Sequence, residues 1–267
     1  APSFFVAVGF RKPHLLWRFP KRVLDLYSFG EDPLAERLYA PVDAPALAYH
    51  MPFSELRRLS DFEACGGALA MAPDFAYPFD CQRAWRRANA AATTFMDELV
   101  GTVLDAIPDP EETLAVFTSD HGWHLGDQGE WEKFTNYESA TRVPLIIRAP
   151  WLSGGGVVKA IVELVDLFPT MTSLAGVDVA YTSRESAPLQ GRDLSPIFRG
   201  EPFKSTVALS QFPRCVGGEN YHEKNESYPL YYLNDCNDVP RANFTHMGFS
   251  IRTEDWRYTE WRPWDGE

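Results

Sequence analysis

Between Thr118 and Ile147 the chain reads TSDHGWHLGDQGEWEKFTNYESATRVPLII, with Asp, His, Glu and Lys crowded between two apolar runs. Asp120 offers a hard carboxylate oxygen and His121 an imidazole nitrogen, and adjacent residues at a strand end can reach one metal ion. Gly122 lets the backbone turn away tightly. The same Asp-His pair also reads as an Asp capping a helical turn with its His on the surface. Lys133, among Glu130, Glu132 and Glu138, is a point cation for an anionic group or one arm of a surface ion pair. Trp123 and Trp131 flank the cluster as pocket walls or as core, and His124 is expected at the surface. A second constellation is FRKPHLLWRFP over Phe10–Pro20, where His14 follows an apolar run and Arg11, Lys12 and Arg18 make a locally basic edge. Parallel strands would put His14 and Asp120 on one sheet edge and suit them to a shared anion site.

The elements that must position these residues alternate. SFFVAVGF over Ser3–Phe10 reads as a strand covered on both faces. Residues 31–79 are Pro- and Ala-rich with broken periodicity, an excursion with short helices at most. Phe79–Ile107 is the clearest helix, with Trp85, Ala88, Ala92, Phe95, Met96, Leu99, Val103 and Ile107 on one face. TLAVFT (Thr113–Thr118) and VPLIIRAP (Val143–Pro150) read as buried strands, and Val162–Val177 as a helix interrupted or kinked at Pro169. This order predicts an α/β core with parallel strands and crossover helices over 1–204. From residue 205 to 267, TVALSQF and HMGFSIRTEDWRYTEW predict the start of a smaller antiparallel region.

Composition narrows the classes of function. Hydrophobic residues make up 45% of the 267, enough for one large core. A net charge of -12 disfavours nucleic-acid binding, because the chain would repel the phosphate backbone. No run reaches the roughly 18 apolar residues of a membrane span. The first residues do not read as a signal peptide, and the chain is expected to begin inside a domain, with any targeting signal upstream. Cys65, Cys81, Cys215 and Cys236 lack CxxC spacing. Four cysteines allow three pairings, and Cys215–Cys236, flanking a polar Tyr-rich loop, is the preferred pair in an oxidising compartment. The sequons at Asn225 and Asn243 permit glycosylation and, with the cysteines, lean toward the secretory route.

FTSDHG followed by a downstream Lys and then VPLI, KPH after the first apolar run, and GEWEKFTN together resemble the sulfatase family of the alkaline-phosphatase-like superfamily, in its iduronate-type branch. VELVDLFPTMTSLAGV and MGFSIRTEDWRYTEW extend the resemblance in the same order. It implies a sulfatase-like α/β fold and hydrolysis of a sulfate ester on 2-O-sulfated uronate of a glycosaminoglycan or related polysaccharide. It further implies Asp120 and His121 as ligands of one Ca²⁺, and His14 at the sulfate or leaving oxygen, assisting proton transfer. Lys133 would bind the sulfate and Trp123 line the sugar pocket, in a lysosomal or secreted enzyme.

The family's nucleophile is a formylglycine made from Cys in a Cys-x-Pro/Ala-x-Arg motif, and none of the four cysteines has that context. The paired N-terminal Asp ligands of the family are also not found. The formylglycine and half the metal shell are therefore expected in a missing N-terminal segment, and the 267-residue chain alone is expected to be inactive and poorly soluble. Leu16 stands where the family has Pro after KPH. The competing readings are a phosphatase or phosphodiesterase of the same superfamily and a degenerate, non-catalytic binding module.

Overall fold

The structure is a computed structural model that describes residues 4–50, 55–67, 75–152, 155–177, 189–204, 207–215, 236 and 239–266. The chain packs into two units, one of residues 1–106 with 123–132, the other of residues 107–122 with 133–267.

The first unit is organised by helix α2, Phe79–Asp105, close to the span its apolar spacing predicts. Pro78 stands at its N-cap and Asp80 lies in its first turn, where a negative charge meets the helix dipole. Ile107-Pro108 ends it, because the residue before Pro is steered out of the α region. Burial is concentrated in the N-terminal half of α2, at Gln82, Trp85, Ala91 and Ala92. Trp85 joins Leu15, Leu56, Phe62, Cys65, Tyr77 and Trp131 in the core. Trp85 meets Trp131 edge-on at 5.2 Å and Tyr77 at 4.8 Å. Each such side chain contributes about 2–3 kcal/mol by burial, and each ring pair about 1 kcal/mol more. The short helix α1, Lys21–Leu24, leans on α2 through Arg22–Glu98, and Arg87 donates to the Tyr27 carbonyl at 2.7 Å. Strands β2 (His124–Leu125) and β3 (Trp131–Glu132) form an antiparallel hairpin, and Arg86 ties it to α2 by donating to the Leu125 carbonyl.

In the second unit, β1 (Ala115–Thr118) and β4 (Leu145–Arg148) fall where the apolar runs predict them. They pair antiparallel, Ala115 opposite Arg148 and Thr118 opposite Leu145. Helix α3 (Glu138–Thr141) lies between them in sequence. Helix α4, Leu167–Leu174, follows a 3₁₀ turn at Leu164–Asp166 and holds Pro169 in its first turn, where no intrahelical N–H bond is needed. Pro169 therefore does not kink it. Helix α5, Ser195–Phe198, follows. Strands β5 (Ala208–Cys215), β6 (Phe244–Arg252) and β7 (Arg257–Pro263) make the antiparallel sheet expected beyond residue 205.

The α/β class stands, while two local expectations change. All ladders among the described residues are antiparallel, so the parallel pairing inferred from alternating elements is not seen there. Phe4–Phe10 forms no strand and its side chains are exposed. A buried strand needs a ladder neighbour and cover on both faces, and none of the described strands pairs with this segment.

Each disulfide lies within a single unit, Cys65–Cys81 in the first and Cys215–Cys236 in the second. Cys215–Cys236 is the pair preferred from sequence, and Cys65–Cys81 ties the excursion to the start of α2. Asn243 is exposed, at the end of a 3₁₀ turn; Asn225 lies outside the described residues.

Candidate active site

His14 sits on a hook of the first unit that Lys12 closes. Lys12 Nζ donates to the carbonyls of His14 (3.3 Å) and Leu16, and the Trp17 indole donates to the Pro13 carbonyl at 3.0 Å. Burial, and next the neighbouring Arg11 and Arg18, press the Lys12 pKa below its ordinary value. The half-buried imidazole of His14 lies 3.2 Å from Glu55 Oε1 through Nε2 and 2.5 Å from the Leu15 carbonyl through Nδ1. The Trp123 ring stands 6.1 Å from it, tilted by 54°. His14 and Trp123, far apart in sequence, therefore meet in the fold.

The stretch 123–132 is more buried than its charge suggests. His124 is buried, not at the surface, because β2 places it opposite Glu132 of β3. Burial first, and the nearby His50 second, push its pKa down to about 3. Glu130 and Glu132 are fully buried. Glu132 Oε2 lies 3.1 Å from His50 Nε2, and its Oε1 accepts the N–H groups of Glu55 (2.9 Å) and Leu56 (2.7 Å). Glu130 Oε1 accepts the N–H of His50 at 2.8 Å. Trp131 is core, resolving its two readings. The hairpin bend needs left-handed backbone at Gly126 (φ 96°) and Gly129 (φ 75°), which glycine adopts without strain.

In the second unit, β1 delivers Asp120 and His121 at its end. Gly122 turns the chain hard against α3: its N–H donates to the Ala140 carbonyl at 2.8 Å, and a Cβ there would fall 2.1 Å from the Ser139 carbonyl oxygen. His121 Nδ1 lies 2.8 Å from the Gly122 carbonyl, which can only accept, so Nδ1 carries the hydrogen and Nε2 keeps a lone pair when the ring is neutral. Nε2 lies 3.6 Å from Asp120 Oδ2, whose side chain is 85% exposed. Two acceptors facing each other at that distance are reconciled by a proton or a cation between them. They fit as part of a cation site and not as a whole one, since calcium takes six to eight ligands and no cluster of three or more metal-binding side chains occurs among the described residues.

Lys133 follows β3, and its ammonium lies 5.5 Å from the Phe134 ring. The segment after it is clamped to the antiparallel sheet. Arg214, between the rings of Phe212 (5.1 Å) and Trp261 (4.9 Å), donates to the Phe134 carbonyl. Asn136 donates to the Gly248 carbonyl at 3.1 Å. Glu138 takes Arg252 and Arg257 at 3.0 and 2.8 Å. Burial works against the Glu138 carboxylate, but the two guanidinium groups outweigh it and hold its pKa below the ordinary value.

Residues 1–177 match the sulfatase family model. The chain belongs to the sulfatase family. It is 34% identical to iduronate 2-sulfatase of Mus musculus over 99% of its length, covering 53% of that protein, and 33% identical to the Homo sapiens enzyme over 98%, covering 52%. The chain thus spans about half the length of these curated relatives. Its fold is similar to that of a phosphonate monoester hydrolase from Silicibacter pomeroyi, with a TM-score of 0.61 at 23% identity, covering 96% of this chain and 48% of that one. Fold alone is shared at that distance.

Of the sequence-derived candidates, His14 and Trp123 lie in the first unit and Asp120, His121 and Lys133 in the second. Sequence reasoning missed Glu55 and the buried set His50, Glu130 and Glu132. No periodicity marks Glu55 in its irregular segment, and a Glu-Trp-Glu triplet gives no sign that both carboxylates turn inward.

Proposed function

We propose that the protein is a sulfuric ester hydrolase that removes sulfate from 2-O-sulfated uronate of a glycosaminoglycan or related sulfated polysaccharide. The observation that carries this reading is the 34% identity to an iduronate 2-sulfatase across nearly the whole chain. Lys133 binds the sulfate as a point cation. His14 protonates the leaving oxygen, and Trp123, beside it, faces the sugar. Asp120 and His121 would supply two of the ligands of a Ca²⁺ ion, which would polarise the sulfate oxygens.

The nucleophile, in this reading, is not carried by the 267 residues. All four cysteines are paired in disulfides, and none stands in a Cys-x-Pro/Ala-x-Arg context. The two disulfides and the exposed sequon at Asn243 favour a secreted or lysosomal protein.

Sulfate release from a 2-O-sulfated uronate disaccharide tests the reading. The protein expressed from its natural gene is expected to turn over, and its His14→Ala and Lys133→Ala variants to lose at least about 100-fold. The 267-residue chain alone is expected to give nothing above its own His14→Ala control. Faster cleavage of a phosphate diester than of the sulfate ester by the natural product would overturn the substrate class.

A further inference from the structure

We propose that Glu55 is a positioning residue for His14, the proton donor in the sulfatase reading, on which this inference rests. Both ring nitrogens of His14 face acceptors: Nε2 the Glu55 carboxylate at 3.2 Å, Nδ1 the Leu15 carbonyl at 2.5 Å. A carbonyl and a carboxylate accept but do not donate. With Nδ1 at the Leu15 carbonyl, the Glu55 carboxylate bounds the ring at its other nitrogen. The contact thus fixes the plane of the imidazole.

Glu55 is not a loose surface carboxylate. Its side chain is 15% exposed and that of His14 24%, so water screens this pair less than an exposed one. Its backbone is pinned from the core: Glu132 Oε1 accepts the N–H of Glu55 and of Leu56, and the other oxygen of Glu132 meets His50 Nε2. His50 is held in turn by Glu130. A hydrogen-bonded chain thus runs from the buried strand β3, through the peptide groups at 55 and 56, to the imidazole. Trp123 stands on the same imidazole, so its ring is bounded by an aromatic as well as a carboxylate. The arrangement also carries a cost, because a carboxylate beside a sulfate site repels the anionic substrate. Rate and affinity should therefore move in opposite directions when the charge is removed.

The test uses the protein expressed from its natural gene and a 2-O-sulfated uronate disaccharide. Glu55→Gln keeps the size of the side chain and removes its charge. It is expected to lower kcat by at least about tenfold, part of the 10²–10⁴ that a positioned acid supplies, with KM unchanged or lower. Glu55→Asp, which restores the charge, is expected to recover activity relative to Gln. In a His14→Ala background, Glu55→Gln is expected to cost less than about twofold more, because the group it serves is gone. The ¹⁵N resonances of the His14 ring at a fixed pH supply a readout independent of turnover, and Glu55→Gln is expected to move them. Losses that add fully to those of His14→Ala, a rise in KM at constant kcat, or unmoved ring resonances each overturn the proposal. If the natural product releases no sulfate while the ring resonances respond to Glu55→Gln, the sulfatase reading falls and the hold of Glu55 on His14 stands.

Discussion

At Gly122 a single methyl group decides whether Asp120 and His121 can be presented as they are. A Cβ there would meet the Ser139 carbonyl at 2.1 Å and the Arg142 carbonyl at 2.8 Å, both of them backbone, so the turn itself has to open. Gly122→Ala is expected to cost about 1–3 kcal/mol, read as a lower urea midpoint with unchanged slope. Glu132 is the second residue where little can be changed. Truncation to Ala removes the acceptor of two backbone N–H groups and the partner of a buried imidazole, and is expected to cost about 3 kcal/mol or more. A loss below about 1 kcal/mol in denaturant unfolding would mean that the loop carrying Glu55 is held by something else. Sequence alone pointed to Asp120, His121, His14, Lys133 and Trp123 through residue type and order. It did not point to Glu55, because the partner of a side chain across an irregular loop is set by where the loop lands.

Among the elements, the β2–β3 hairpin turned out unlike its reading. The sequence put His124 at the surface, yet His124, Glu130 and Glu132 are buried, and the two carboxylates hold the segment around His50. This has a consequence for pH. The unfolded chain takes up a proton on His124 near pH 6.5, while the folded hairpin resists it down to about 3. The unfolded state thus binds more protons across that window, and stability falls as the pH drops through it. The contribution lost by pH 5 is on the order of 2 kcal/mol, at about 1.4 kcal/mol per pH unit below 6.5. Unfolding midpoints measured between pH 7 and 5 are expected to fall more steeply in the wild type than in His124→Leu. Equal slopes would show that His124 accepts its proton in the folded state. Helix α2, by contrast, was legible almost to its ends, because a long 3-4 apolar spacing closed by Pro has no competing reading. The β6–β7 hairpin was legible too, since its strands alternate and are joined by a short polar turn.

For the whole molecule, two covalent ties and one exposed apolar run dominate what can be measured. Cys65–Cys81 and Cys215–Cys236 close loops of similar length, with separations of 16 and 21 residues, and each is expected to contribute about 3 kcal/mol. Reduction is expected to lower the thermal midpoint in two separable increments, reproduced one at a time by Cys65→Ala/Cys81→Ala and Cys215→Ala/Cys236→Ala. Phe4, Phe5, Val6 and Val8 are 51–79% exposed, a contiguous apolar surface of the kind that drives association. The 267-residue chain is expected to self-associate in sedimentation velocity, and Phe4→Ser/Phe5→Ser to shift it toward monomer. Unchanged sedimentation would assign any association to another face. Local sequence determined the long helix, the strands around residues 115–118 and 145–148, the C-terminal antiparallel sheet and the sulfatase signature, because each depends on the order and spacing of residues close in the chain. The tertiary structure decided the antiparallel pairing of β1 with β4, the failure of Phe4–Phe10 to become a strand, the burial of His124 and the meeting of Glu55 with His14. Those depend on which partner arrives from elsewhere in the chain, and neither a ladder nor a side-chain contact exists until that partner is in place.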